Sequence, residues 1–183
     1  MLAVESSPTI GLPCRCGTAD ASRLCHCHDC TFFEPCCATC FIHRHQQTPL
    51  HWVQFWNGKC FDRKDISELG HVITYGHDSF GGRCPHATPS DFTIIDVNGV
   101  HKTRVAFCQC FGRLAEPFTH LVQERVFPAT VAMPQLGFTF ALLKDFHLQT
   151  LTSKKLPYDY LFAIRQKTSN TFVDQVQVSQ VLI

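Results

Sequence analysis

The stretch that decides the fold runs from Cys14 to His51: Cys14-Arg15-Cys16, then Cys27-His28-Asp29-Cys30, then Cys37-Ala38-Thr39-Cys40, then His45 and His51. Its eight candidate donors fall as four close pairs, with ten, six and four residues between successive pairs. A short loop between two Cys or His residues aims both at one ion, and a second pair completes the tetrahedron that zinc takes. Four pairs in series are satisfied by interleaving, the first with the third and the second with the fourth. This predicts an all-thiolate site from Cys14, Cys16, Cys37 and Cys40, and a mixed site from Cys27, Cys30, His45 and His51. Cys25 and Cys36 stand beside the pairs, and Cys25 could replace one member of the first. His26, His28 and His43 are alternative donors.

The competing account of the cysteines is a disulfide scaffold or a set of small buried hydrophobes. Twelve Cys among 183 residues is too many for burial alone. Disulfides need an oxidising compartment, and residues 1–11 carry neither the basic flank nor the apolar run of a secretory signal. Interleaved histidine also favours metal, because a disulfide framework has no use for it. The order of the ligands, closed by His45 and His51 with five residues between them, resembles a B-box.

Composition bounds the rest. Apolar residues make up 45% of the chain, enough for a real core, but the segment through His51 contributes little of it and should depend on metal to fold. No apolar run reaches membrane-spanning length, so a soluble intracellular chain is expected. The net charge is +1 before any thiolate is counted, and bound thiolates make it slightly negative. That excludes a strongly basic nucleic-acid binder and leaves only a local patch for DNA contact.

The expected class is α+β. Residues 1–13 read as an irregular end and 14–56 as the double-zinc module. Residues 57–112 read as a β-hairpin region, 113–171 as a helical subdomain and 172–183 as an irregular tail. His51 to Trp56 alternates, Asn57-Gly58 is a turn pair and Lys59 to Asp62 alternates back, which predicts a hairpin. Trp52, Phe55, Trp56 and Phe61 are expected to pack against the zinc module. Asp65-x-x-Glu68 predicts one capped helical turn ending at Gly70. A second hairpin runs from Asp91 through Asn98-Gly99 to Gln109. Beyond its end, Cys108 and Cys110, with His77 and Cys84 upstream, predict a third zinc site; His86 and His101 are its alternative donors and Cys60 an ordinary hairpin residue. Cysteine stops at Cys110. Helices are then expected from Pro117 to Arg125, after Pro134 with Phe138, Leu142, Phe146 and Leu151 at about fourfold spacing, and from Pro157. Lys144, Lys154, Lys155, Arg165 and Lys167 are candidate phosphate contacts or a solvated surface, and His120 and His147 read as structural.

Several non-cysteine stretches occur in an order that carries a resemblance: His45 to His51, Trp56-Asn57-Gly58, Gly76-His77, Cys84-Pro85, Asp96 to His101, Phe107 to Cys110, Phe127 to Thr130 and Phe138 to Phe140. From residue 14 to 171 the chain resembles the cysteine-cluster (CxC-type) domain associated with KDZ (Kyakuja–Dileera–Zisupton) transposases, best known from fungal mobile elements. The first pair departs from that pattern, with one residue between Cys14 and Cys16 where two are usual. The resemblance implies a zinc-chelating, DNA-binding accessory region placed before a ribonuclease-H-like transposase core. It also implies nuclear residence and a chain that stops short of the core's acidic residues.

Three functions compete on the residues themselves: a metal-stabilised DNA-binding module, a B-box-like platform for a protein partner or self-association, and a catalytic zinc. Catalytic zinc keeps an open coordination position and a nearby general base. Each set here offers four protein donors, and no Asp or Glu accompanies a pair in a hydrolase or deaminase pattern. A non-catalytic segment without a small-molecule substrate is therefore expected, with the resemblance favouring DNA as partner.

Overall fold

Pleated alternation builds the first sheet, and cysteine lines its inner face. The computed structural model describes residues 8–31, 33–76, 86–110 and 116–169. It divides into two units, Met1–His71 and Val72–Ile183. In the first unit, β1 (Cys25–Cys27), β2 (Val53–Trp56) and β3 (Phe61–Lys64) form an antiparallel sheet in that order. Its pairs Cys25↔Phe55 and Cys27↔Val53 share one face. That face packs with Phe41 of α1 (Ala38–Arg44), Cys14, Cys36, Cys37 and Ile66 into a small core. The pairs His26↔Gln54, Gln54↔Arg63 and Trp56↔Phe61 share the other face.

The hairpin returns two residues later than the Asn57-Gly58 pair suggests. Asn57 Oδ1 accepts the amides of Lys59 and Cys60 at 2.8 and 2.9 Å, so Asn57 to Cys60 form the loop and β3 starts at Phe61. Gly58 takes φ +95°, which a side chain would resist. The expected capped turn is present as a 3-10 helix, Ile66–Leu69, with a capping box between Asp65 and Glu68 and left-handed Gly70 after it. Because β2 pairs with both β1 and β3, the first hairpin belongs with the cysteine-rich unit rather than with the second hairpin.

The second unit holds a five-stranded sheet in the order β4-β6-β5-β8-β7. Its strands are β4 (Ile73–Tyr75), β5 (Ser90–Asp96), β6 (Gly99–Phe107), β7 (Val126–Pro128) and β8 (Leu136–Thr139). The β5–β6 hairpin is the predicted one, closed by Asp96↔Gly99. The stretch 113–171 is not helical throughout. Phe138, expected on a helix, lies in β8. Thr139 ends that strand, and its hydroxyl accepts the Leu142 amide at 3.1 Å, capping α3 (Phe140–Ser153). The other helices are α2 (Pro117–Gln123) and α4 (Pro157–Thr168), both opened by the expected prolines. Leu142, Tyr160 and Ile164 from α3 and α4 close over Ile95, Val100 and Leu136 of the sheet. The helices therefore share one core with the hairpin instead of forming a subdomain of their own.

Edge strand β7 tolerates Pro128 because an edge leaves one row of amides unpaired. At its partner Gly137 a Cβ would fall 2.5 Å from Val126 Cγ1 and 3.2 Å from the Phe92 ring. Gly137→Ala should overpack this spot by about 1–3 kcal/mol. The check is thermal melting followed by circular dichroism, where the midpoint of the second unit should fall by several degrees.

Candidate metal centres

Helix α1 links two donor clusters. Cys37 is its N-cap, Cys40 lies in its first turn and His45 is its C-cap. At the first end, Cys14, Cys16, Cys37 and Cys40 bring their sulfurs within 4.8 Å of one another. Cys14 Sγ lies 3.9 Å from Cys40 Sγ, and Cys16 Sγ lies 3.8 Å from Cys37 Sγ. Zinc–sulfur bonds of about 2.3 Å in a tetrahedron put sulfurs about 3.8 Å apart, whereas a disulfide requires about 2.05 Å. The donor set thus fits an ion held by thiolates, and the cysteines of this unit form no disulfide with one another.

At the other end, Cys27, Cys30, His45 and His51 form a second set within the same limit. Cys30 Sγ lies 3.4 Å from both His45 Nε2 and His51 Nδ1, and Cys27 Sγ lies 3.6 Å from His51 Nδ1. A tetrahedron with one sulfur and one nitrogen edge of zinc length spans about 3.6 Å. The two imidazoles present different nitrogens. His45 Nδ1 donates to the Phe41 carbonyl at 2.9 Å, which fixes the tautomer that leaves Nε2 as donor. The loop of this set is pinned by Asp29, whose carboxylate accepts the Trp52 amide at 2.8 Å.

The thiols do not titrate alike. The Thr18 hydroxyl, 3.3 Å from Cys16 Sγ, draws Cys16 down to about 6. Backbone amides, that of Cys16 foremost, lower Cys14 as well. Loss of solvent and then the neighbouring thiols push Cys40 up to about 12, and burial does the same for Cys27. Four thiolates in so small a space repel one another, and a divalent cation removes that repulsion. Ion binding therefore releases protons. Burial also lowers His45, keeping its imidazole neutral as a donor must be.

The residues left as alternatives have other places. Cys25 and Cys36 are buried and exchange backbone hydrogen bonds of 2.9 and 3.0 Å as a β-bridge. His26 lies on the outer face of β1, and His28 and His43 are exposed. Of the predicted third set, His77 and Cys84 lie outside the described residues. Cys108 and Cys110 follow β6; the Cys108 amide donates to Tyr75 O at 2.9 Å, and the Cys110 amide lies 3.4 Å from Cys108 Sγ. The alternative His101 is buried within β6 with Nε2 at 2.8 Å from Asn98 Oδ1, and His86 is exposed. His120, read as structural, has its ring buried against Gly76, with neither nitrogen hydrogen-bonded among the described residues.

Residues 66–172, more than half of the chain, match the family described as CxC2 like cysteine cluster associated with KDZ transposases. The chain belongs to that family. No curated protein and no solved structure matches it. The CxC2 match begins at the 3-10 turn and includes the Cys108-x-Cys110 pair, so both four-donor sets precede it. Family membership and the ligand geometry are thus two separate observations, made on different parts of this CxC2 chain.

Native mass spectrometry of the zinc-loaded chain should count at least two ions. Cys40→Ser should remove one and leave the set containing His45 loaded; loss of both together, or of neither, would contradict two distinct sites. Acid should release metal with a definite sign. His45 has a lowered folded pKa, so its stabilising neutral form is complete above about pH 6.5 and is lost as pH falls through that value towards the folded one. A chelating dye should report release beginning there.

Proposed function

We propose that this chain is a non-catalytic, zinc-chelating and DNA-binding accessory region of a KDZ-type transposase, working in the nucleus. The observation that carries the reading is the pair of closed four-donor sets. Four protein ligands leave no open position for water or substrate, the mark of a structural rather than catalytic zinc. Borderline-soft zinc suits thiolate and imidazole donors in tetrahedral array. Membership of a transposase-associated family supports DNA as the partner in this reading. Exposed cations are available on both units, among them Arg63 and Lys59 on the first and Lys144 and Lys154 on the second. Lys167 is less available for phosphate, since its ammonium donates to Val97 O at 2.8 Å. Among the described residues no helix is long and apolar enough to cross a membrane.

One observation favours a protein-interaction reading as the alternative. Leu148, Leu151, Leu156 and Tyr158, on α3, α4 and the link between them, are 51%, 67%, 63% and 76% exposed. Such a run of large apolar side chains suits a protein partner or a second copy of the chain.

Salt separates the readings. Retention of duplex DNA by the zinc-loaded chain should fall linearly on a log–log plot against salt, with a slope close to the number of phosphates contacted. No retention at low ionic strength, together with a dimer in native mass spectrometry, would replace DNA by self-association.

A further inference from the structure

The outer face of the β1-β2-β3 sheet is not part of either core. Gln54 and Trp56 point to this side by the pleat of β2, Phe61 and Arg63 oppose them from β3, and Trp52, just before β2, is buried under the Arg63 guanidinium. Trp56 and Phe61 were expected to pack against the zinc module. They lie on the opposite side from Cys25, Cys27 and Val53, and both are only partly buried. Phe55, on the inner side, does pack against the core. Rings continue across the outer face. Trp56 meets Phe61 edge-on at 5.2 Å, and Phe61 meets His26 at 6.4 Å. Between them runs a row of hydrogen-bonding side chains, His26, Gln54 and Arg63, one from each strand.

Cationic groups accompany the rings. Arg63 is exposed and holds its guanidinium 5.2 Å from the centroid of the Trp52 ring, and Lys59 is exposed on the adjoining loop. The acid of β3, Asp62, belongs to the inner-face register and accepts a hydrogen bond from Asn57 Nδ2 at 2.9 Å. Half-open rings at Trp56 and Phe61, with Arg63 and Lys59 beside them, match a strand of unpaired bases joined by phosphates. Bases stack on the rings while Arg and Lys meet the backbone. A duplex keeps its base faces stacked inside and offers nothing to Trp56.

We propose that the outer face of the first sheet, centred on Trp56, Phe61 and Arg63, binds single-stranded DNA by base stacking. The inference rests on the DNA-binding reading above and assigns the form of DNA and the surface. Trp56 is half-buried on this face and Trp52 is buried beside it under Arg63, so tryptophan fluorescence reports the surface.

The experiment titrates the full-length, zinc-loaded chain into end-labelled oligo(dT) and a matched duplex, reads both affinities by anisotropy, and follows tryptophan quenching by oligo(dT) in the wild type. Saturable quenching by oligo(dT) is expected. Trp56→Ala and Phe61→Ala should each weaken that binding about 5- to 100-fold, since stacking contributes about 1–3 kcal/mol per base. Trp56→Phe should restore most of it. Zinc count by native mass spectrometry and duplex affinity should stay unchanged. Wild-type binding of oligo(dT) without quenching, or with full affinity in zinc-loaded Trp56→Ala and Phe61→Ala, would overturn the surface while leaving duplex binding intact. Failure to bind either DNA would overturn the DNA-binding reading as well. Weaker self-association in Trp56→Ala with no response to oligo(dT) would make the face a protein interface and overturn the proposal.

Discussion

Mutual repulsion among clustered thiolates is the constraint on which the first unit depends. Cys14, Cys16, Cys37 and Cys40 crowd within 4.8 Å, a spacing that ionised sulfurs tolerate only around a cation. The apolar core beside them is small, and several of its members are themselves cysteines. In a unit of this size with so little large apolar surface, ions held by the two donor sets would supply much of the stability. The second unit rests on a different basis: its five-stranded sheet buries Ile95, Val100 and Leu136 under two helices and contains strands from widely separated parts of the chain.

Ligand pairing was the most legible feature of the sequence, because spacing and donor chemistry act locally. The partition of eight donors into two sets follows from alternating pairs, and the structure groups the same residues. Turn chemistry was legible where one residue decides it, as at the capping box of Asp65 and Glu68. Pro117 and Pro157 marked helix starts for the same local reason.

What stayed hidden was set by tertiary pairing. The short strand at Val126–Pro128 has no periodic signature and exists because β8 lies beside it. Phe138 matched a helical spacing by coincidence with Leu142 and Phe146, while its backbone pairs with β5. The destination of Trp56 and Phe61 could not be read from alternation, which separates two faces without saying which one is covered. Only the placement of α1 on the Cys25 side decides that. The structural role of His120 was legible but its partner was not, since the contact with Gly76 joins residues far apart in sequence.

A seven-residue helix carries sulfur donors at its start and an imidazole at its end. Such a rod is too short to persist in water by itself. An ion held at either end would therefore order the one segment from which both donor sets draw a ligand.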